Sequence, residues 1–76
     1  MQDNAIVKLF LERDERALKE ALEKYNHYCM HISMNILNNC EDSEECVSDA
    51  LFGAWKSIPP HHPENLAAFL GKLTRN

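Results

Sequence analysis

One stretch in the middle of the chain carries side chains that suit the binding of another protein. Its members recur three and four residues apart, which places them on one side of a helix: Glu45, Ser48, Asp49 and Phe52, followed by Lys56. We call the first four the Phe52 stripe. An aromatic residue among polar neighbours is typical of an interface anchor. The alternative is that Phe52 packs beneath the first helix or the proline-rich loop.

Patterns typical of catalysis or metal binding do not occur in the sequence. There is no glycine-rich phosphate loop, nucleophile elbow or Ser/His/Asp spacing, and the carboxylates are spread along helix faces. His27 and His31 lie four residues apart around Cys29, but no HExxH glutamate or second ligand pair accompanies them. We therefore expect no enzyme activity, no cofactor and no metal ion.

Composition and charge limit the class of protein. The chain has 76 residues, 45% of them hydrophobic and 26% charged, which suits one small globular domain. A formal net charge of −4 without a Lys/Arg cluster argues against tight binding of a phosphate backbone by this part alone. No membrane span or secretory leader is indicated, and the three cysteines form no CxxC pair, so a cytoplasmic protein with reduced thiols is expected.

Apolar periodicity predicts an all-α fold, a compact bundle of about four helices. The first helix is predicted from a cap at Asp3 or Asn4 to about Arg13. The second is predicted from a cap at Asp14 to Asn38, and it would be the longest.

The third helix is predicted to start at Asp42, whose side chain would form a capping box with Glu45. Its buried face is predicted from one helical stripe: Cys46, Val47, Ala50, Leu51, Ala54, Trp55 and Ile58. Gly53 is unfavourable inside a helix, which suggests a close approach of another backbone. A proline-rich break follows, and the fourth helix is predicted with Pro63 in its first turn.

Three segments together carry a family likeness. The first segment runs from Ala17 to Leu37 and ends in Asn35-Ile36-Leu37. The second combines Asp42-Ser43-Glu44-Glu45 with Asp49, Ala54 and Trp55. The third combines Pro63-Glu64-Asn65-Leu66 with Ala68-Phe69-Leu70 and Thr74-Arg75-Asn76. In this order and spacing they resemble region 2 of the extracytoplasmic-function sigma factors of bacterial RNA polymerase. The likeness covers nearly the whole chain.

The resemblance implies a partner and a binding face. In that family the middle helix docks on the clamp helices, a coiled coil of the polymerase β′ subunit, and the matching positions here are Glu45, Ser48 and Asp49, with Phe52 beside them. Ser48 stands where the family has glutamine, which shortens the reach and removes an amide. A repressor that binds the factor, an anti-sigma protein, is a further partner that the resemblance implies.

The resemblance also implies a role in reading the minus-ten promoter element, through basic and aromatic residues that follow the third segment in the family. Lys72, Arg75 and Asn76 are therefore the positions expected near DNA. Residues 1–76 are expected to be a single partial domain, which ends before the main promoter-reading helix, so that promoter DNA would be bound mainly through the missing C-terminal part.

Two other functions are compatible with the same residues. The chain could be a helical adaptor or dimerisation module without a transcription role, in which the Phe52 stripe meets another helix. It could also be a decoy that binds an anti-sigma repressor instead of polymerase.

Overall fold

Four helices account for most of the chain. The structure, a computed structural model, describes residues 1–75. It contains α1 (Asp3–Leu11), α2 (Arg16–Leu37), α3 (Cys40–Ser57) and α4 (Leu66–Arg75), with no strand in the described range. The predicted all-α fold of four helices is confirmed. None of the helices within residues 1–75 has both the length and the apolar character needed to cross a bilayer.

The core lies around α2, which packs against each of the other three helices, and α3 also packs against α4. Its buried apolar members come from all four helices and the loop after α3: Ile6, Val7, Phe10, Ala17, Ala21, Cys29, Val47, Leu51, Ala54, Ile58, Leu66 and Leu70. The buried face predicted for α3 is confirmed, with Cys46 and Trp55 only partly buried at its edges. This burial sets the orientation of α3 and directs the Phe52 stripe outward.

The start of α1 differs from the prediction. The residue before the helix is Gln2, and its side chain bonds no helix N–H. The expected cap at Asp3 or Asn4 is wrong because the Asp3 carboxylate instead accepts hydrogen bonds from Lys24 (2.7 Å) and Tyr25 (2.6 Å) on α2. Asp3 therefore fastens α1 to α2 rather than closing the end of its own helix.

The α1–α2 connection follows the prediction in part. α1 ends at Leu11, before the predicted Arg13, which has a left-handed backbone with φ of 56°. The residue before α2 is Glu15, whose side chain bonds no helix N–H, so the predicted cap at Asp14 lies one residue too early. The Oδ1 of Asp14 nevertheless accepts a hydrogen bond from the backbone N–H of Arg16 at 3.0 Å. At the other end α2 stops at Asn38, whose left-handed backbone breaks the helix.

The N-caps of α3 and α4 are both asparagines, contrary to the predictions. Asn39 Oδ1 accepts from the backbone N–H of Asp42 at 3.0 Å, so the expected capping box of Asp42 with Glu45 is wrong. Asn65 Oδ1 accepts from the N–H of Ala68 at 3.0 Å, and α4 begins after it. Pro63 consequently lies before α4 rather than in its first turn. In each case the asparagine supplies an acceptor nearer the true helix start.

The C-terminal end of α3 is held by Arg13 from the α1–α2 connection. Its Nη1 donates hydrogen bonds to the carbonyl oxygens of Trp55 and Ile58, the latter at 3.0 Å. The guanidinium also lies 3.9 Å from the centroid of the Trp55 ring. Arg13 thus satisfies carbonyl groups that a helix end leaves without partners, and it fixes the end of the helix that carries the Phe52 stripe.

Candidate protein-binding site

The Phe52 stripe lies on the outer surface of α3. Glu45, Ser48, Asp49 and Phe52 are all exposed, and 55% of Phe52 is accessible to solvent. The alternative in which Phe52 packs beneath α1 or the proline-rich loop is therefore wrong. The stripe is exposed because the opposite face of α3 is buried against the core. A large aromatic side chain is thus presented on a helix face with two carboxylates and a hydroxyl.

An apolar cleft lies beside Phe52, between α2 and α3. Its volume is about 230 Å³, and its lining residues are Leu18, Lys19, Leu22, Ser48, Leu51 and Phe52. The apolar repeat of the second helix, which includes Ala17, Ala21 and Leu22, predicts that Leu22 is buried, but Leu22 is exposed and forms a wall of this cleft. Sequence reasoning missed Leu22 because its helical position fits a core stripe equally well. Together Leu22 and Phe52 provide apolar surface that is accessible to a partner.

A second cleft, with acidic walls, adjoins the other side of the stripe, between α3 and α4. It has a volume of about 350 Å³ and is lined by Leu37, Asp42, Glu45, Cys46, Asp49, Ala50 and Leu73. The two carboxylates of the stripe, Glu45 and Asp49, therefore face this cleft, whereas Ser48 and Phe52 face the apolar one. The stripe is a ridge with an apolar side and an acidic side.

The positions expected near DNA lie on α4. Lys72 and Arg75 are exposed in its last turn. The third position, Asn76, lies outside the described residues. Lys72 lines a cleft with His61 and Phe69, whose rings stack with centroids 5.0 Å apart. Two cations one turn apart are on the surface here, close to an exposed histidine.

The histidine and cysteine positions considered for a metal site do not share one surface. His27 and His31 are exposed, whereas Cys29 is buried in the core, where burial raises the pKa of its thiol. Across residues 1–75, no three His, Cys, Asp or Glu side chains gather in a position to hold a metal ion. All three cysteines are free thiols.

No protein-family model, curated protein or solved structure matches this chain. The likeness to sigma region 2 therefore depends on the three sequence segments alone.

Proposed function

We propose that this chain is a polymerase-binding module of the sigma region 2 type, which docks on the β′ clamp helices through the Phe52 stripe. The observation that carries the proposal is the exposure of Phe52 on the same face as Glu45, Ser48 and Asp49. The sequence resemblance assigns Glu45, Ser48 and Asp49 to polymerase binding, with Phe52 beside them. The four-helix fold is compatible with this assignment. Catalysis of transcription belongs to the polymerase.

The two sides of the ridge suit different parts of a partner helix. An apolar side chain of the partner can enter the cleft formed by Leu22, Leu51 and Phe52. Complete burial of an aromatic side chain contributes about 1.5–3 kcal/mol, so a half-exposed Phe52 can gain part of that on docking. Glu45 and Asp49 are placed to pair with basic side chains of the partner, and such pairs orient an interface and speed association.

Lys72 and Arg75 are included in the proposal as the DNA-proximal positions. Lys72 and Arg75 line neither of the clefts beside the Phe52 stripe, so polymerase and DNA can contact different side chains. With a net charge of −4 and only these two cations at that end, residues 1–76 are expected to bind promoter DNA weakly by themselves.

The test is binding to an isolated β′ clamp-helix fragment, measured by isothermal titration calorimetry. Asp49→Lys is expected to lower the affinity about 30-fold or more, because it places a cation against the basic side chains of the partner. Phe52→Ala is expected to lower it about tenfold by removing the anchor. Both side chains are exposed, so circular dichroism should show an unchanged fold.

The matched control is Glu23→Lys, which makes the same charge change on an exposed part of α2 near Met1. Its affinity for the fragment should stay within about threefold of wild type, since Glu23 lines neither of the clefts beside the Phe52 stripe. The polymerase proposal is contradicted if the wild-type protein does not bind the fragment but self-associates, and Phe52→Ala abolishes this self-association. That result favours a helical adaptor or dimerisation module.

A further inference from the structure

Two surface clefts share the side chain of Leu73 in α4. The first is the acidic cleft of about 350 Å³ described above. The second, of about 370 Å³, is formed by α4 and the loop before it, and is lined by His61, Ala68, Phe69, Lys72 and Leu73. Leu73 lines both clefts, so the two are adjacent at its side chain. Its methyl carbons lie 3.6–3.7 Å from the position that a Cβ on Gly53 would occupy, which places α3 directly alongside. We call the two adjacent clefts together the α3–α4 groove.

The two ends of the α3–α4 groove differ in charge. Asp42, Glu45 and Asp49 line one end, where no Lys, Arg or His within residues 1–75 is among the lining residues. Lys72 and His61 line the other end, where the part of the chain that the structure describes contributes no acidic residue. Apolar surface continues along both ends, through Leu37 and Leu73 on the acidic side and Phe69 on the basic side.

Because one end of the α3–α4 groove is acidic and the other is basic, the grooves of two copies are complementary in charge when they face each other in opposite directions. In a two-fold symmetric dimer the same surface is used by both copies, so each contact occurs twice. A two-fold axis near Leu73 would place the acidic end of one groove opposite the basic end of the other. We propose that the α3–α4 groove binds a second copy of this chain, with Lys72 of each copy beside Asp49 of its partner and the Leu73 side chains near the axis.

The exposed apolar surface at the acidic end supports this arrangement. Ile36 and Leu37, at the end of α2, are 58% and 44% exposed, and Leu37 lines the groove. A second copy that covers the groove also shields Leu37. Because each copy carries a net charge of −4, the pairing works against overall repulsion, and we expect dimers that form at about 100 μM rather than at nanomolar concentration.

Dimerisation has a consequence for partner binding that rests on the proposed function. Glu45 and Asp49 belong to the Phe52 stripe and also line the groove. A dimer would cover these carboxylates, so one molecule could not use them for a second copy and for the clamp helices at the same time. Self-association would then hold the module inactive until polymerase competes for it.

The experiment is a charge exchange followed by sedimentation equilibrium, from about 5 μM to 500 μM. Lys72→Glu alone places two carboxylates opposite each other at both contacts, and Asp49→Lys alone places two cations there. Each variant alone should therefore lose at least about tenfold in dimer affinity. In an equimolar mixture, the heterodimer has opposite charges at both contacts, so its affinity should return to within about threefold of wild type.

The controls are Lys8→Glu and Glu23→Lys, which carry the same net charges as the two test variants but alter exposed residues outside the groove. Each should dimerise like wild type, alone and mixed. The proposal is overturned if the wild-type protein stays monomeric over the whole concentration range. It is also overturned if wild type dimerises but the mixture of Lys72→Glu and Asp49→Lys stays monomeric. Loss of dimers in Phe52→Ala also overturns it, because that result assigns the contact to the other side of the ridge. No polymerase is present, so failure here is separate from failure of the clamp-binding test.

Discussion

The contact between Asp3 and Tyr25 shows how a polar group can stabilise packing between two helices. The Tyr25 hydroxyl lies 2.6 Å from each carboxylate oxygen of Asp3, and Lys24 donates to the same carboxylate. The hydrogen bonds from Lys24 and Tyr25 lower the pKa of Asp3 below its ordinary value of 3.8. Burial, and then the hydrogen bond to Asp3, raises the pKa of Tyr25 to about 12. The contact thus favours an ionised Asp3 and a neutral Tyr25.

We predict that Tyr25→Phe lowers the free energy of unfolding by about 1 kcal/mol at pH 7, since it removes a hydrogen bond to a charged, partly buried group. The raised pKa of Tyr25 means that its contribution is fully present below pH 10 and is lost as the pH rises from 10 towards 12. Urea unfolding of both proteins between pH 7 and pH 11.5 should show the difference shrinking. A difference that stays constant over this range would contradict the assigned contact.

Asp3 makes the free energy of unfolding depend on pH in the acid range as well. Because its pKa is lowered in the folded protein, its contribution is present above pH 3.8 and is lost as the pH falls further. The sequence did not reveal this role, because Lys24 and Tyr25 are 21 and 22 residues away and Asp3 also suits a local cap. Partners at such distances along the chain depend on how α1 and α2 pack.

At the scale of the helices, periodicity was sufficient for the number and type of elements but not for where each one starts. The apolar repeat of α3 correctly predicted its buried face, but it left open whether Phe52 is exposed or packs beneath α1 or the proline-rich loop, and the structure shows that Phe52 is exposed. The starts of α3 and α4 were misplaced because several neighbouring residues can accept the same N–H, and the sequence does not rank them. The exposure of Leu22 was missed because it depends on how far α3 covers α2.

The two glycines lie inside helices and should respond differently to substitution. A Cβ on Gly53 would contact only Leu73 side-chain carbons at 3.6 Å or more, so the predicted close approach of another backbone is wrong within the described chain. We predict that Gly53→Ala raises the free energy of unfolding by about 1 kcal/mol, through the better helix propensity of alanine. Urea unfolding measures this gain, and a loss of stability would show that the site is tighter than the structure indicates.

Gly71→Ala is predicted to gain less than Gly53→Ala or to destabilise, because its Cβ would lie 2.8 Å from the Tyr28 hydroxyl oxygen. Tyr28→Phe removes that atom and leaves the nearest ring carbons at 3.4 Å. In the Tyr28→Phe background, Gly71→Ala should therefore raise the free energy of unfolding by most of the gain of about 1 kcal/mol that the helix propensity of alanine provides. Equal effects in the two backgrounds, measured by urea unfolding, would rule out the contact.

At the scale of the whole molecule, a few polar contacts join helices that are far apart in sequence. The described residues form a body of about 34 × 20 × 18 Å, and Arg13 connects the α1–α2 turn to the far end of α3. Its contacts with the Trp55 carbonyl, the Ile58 carbonyl and the Trp55 ring span 42 and 45 residues of chain. Nothing near Arg13 in the sequence indicates this role.

We predict that Arg13→Ala lowers the free energy of unfolding by about 1–2 kcal/mol, since it removes charged hydrogen bonds and a cation–π contact at a solvent-accessible site. Arg13→Lys should recover only part of the loss, because an ammonium cannot stack as a planar guanidinium does. Urea unfolding followed by circular dichroism measures both variants, and Glu12→Ala serves as a nearby exposed control. Wild-type stability in Arg13→Ala would show that the contact does not hold α3.

The position of Trp55 makes its fluorescence a reporter of one event, the detachment of the C-terminal end of α3. It is the single tryptophan of the chain, and its ring is covered by the Arg13 guanidinium and lies 6.4 Å from Phe10. Indole emission should shift to longer wavelength when the end of α3 detaches and water reaches the ring. Trp55 lines neither part of the α3–α4 groove, so the same emission should stay constant as two copies associate. A change in this emission can therefore be assigned to unfolding rather than to dimerisation.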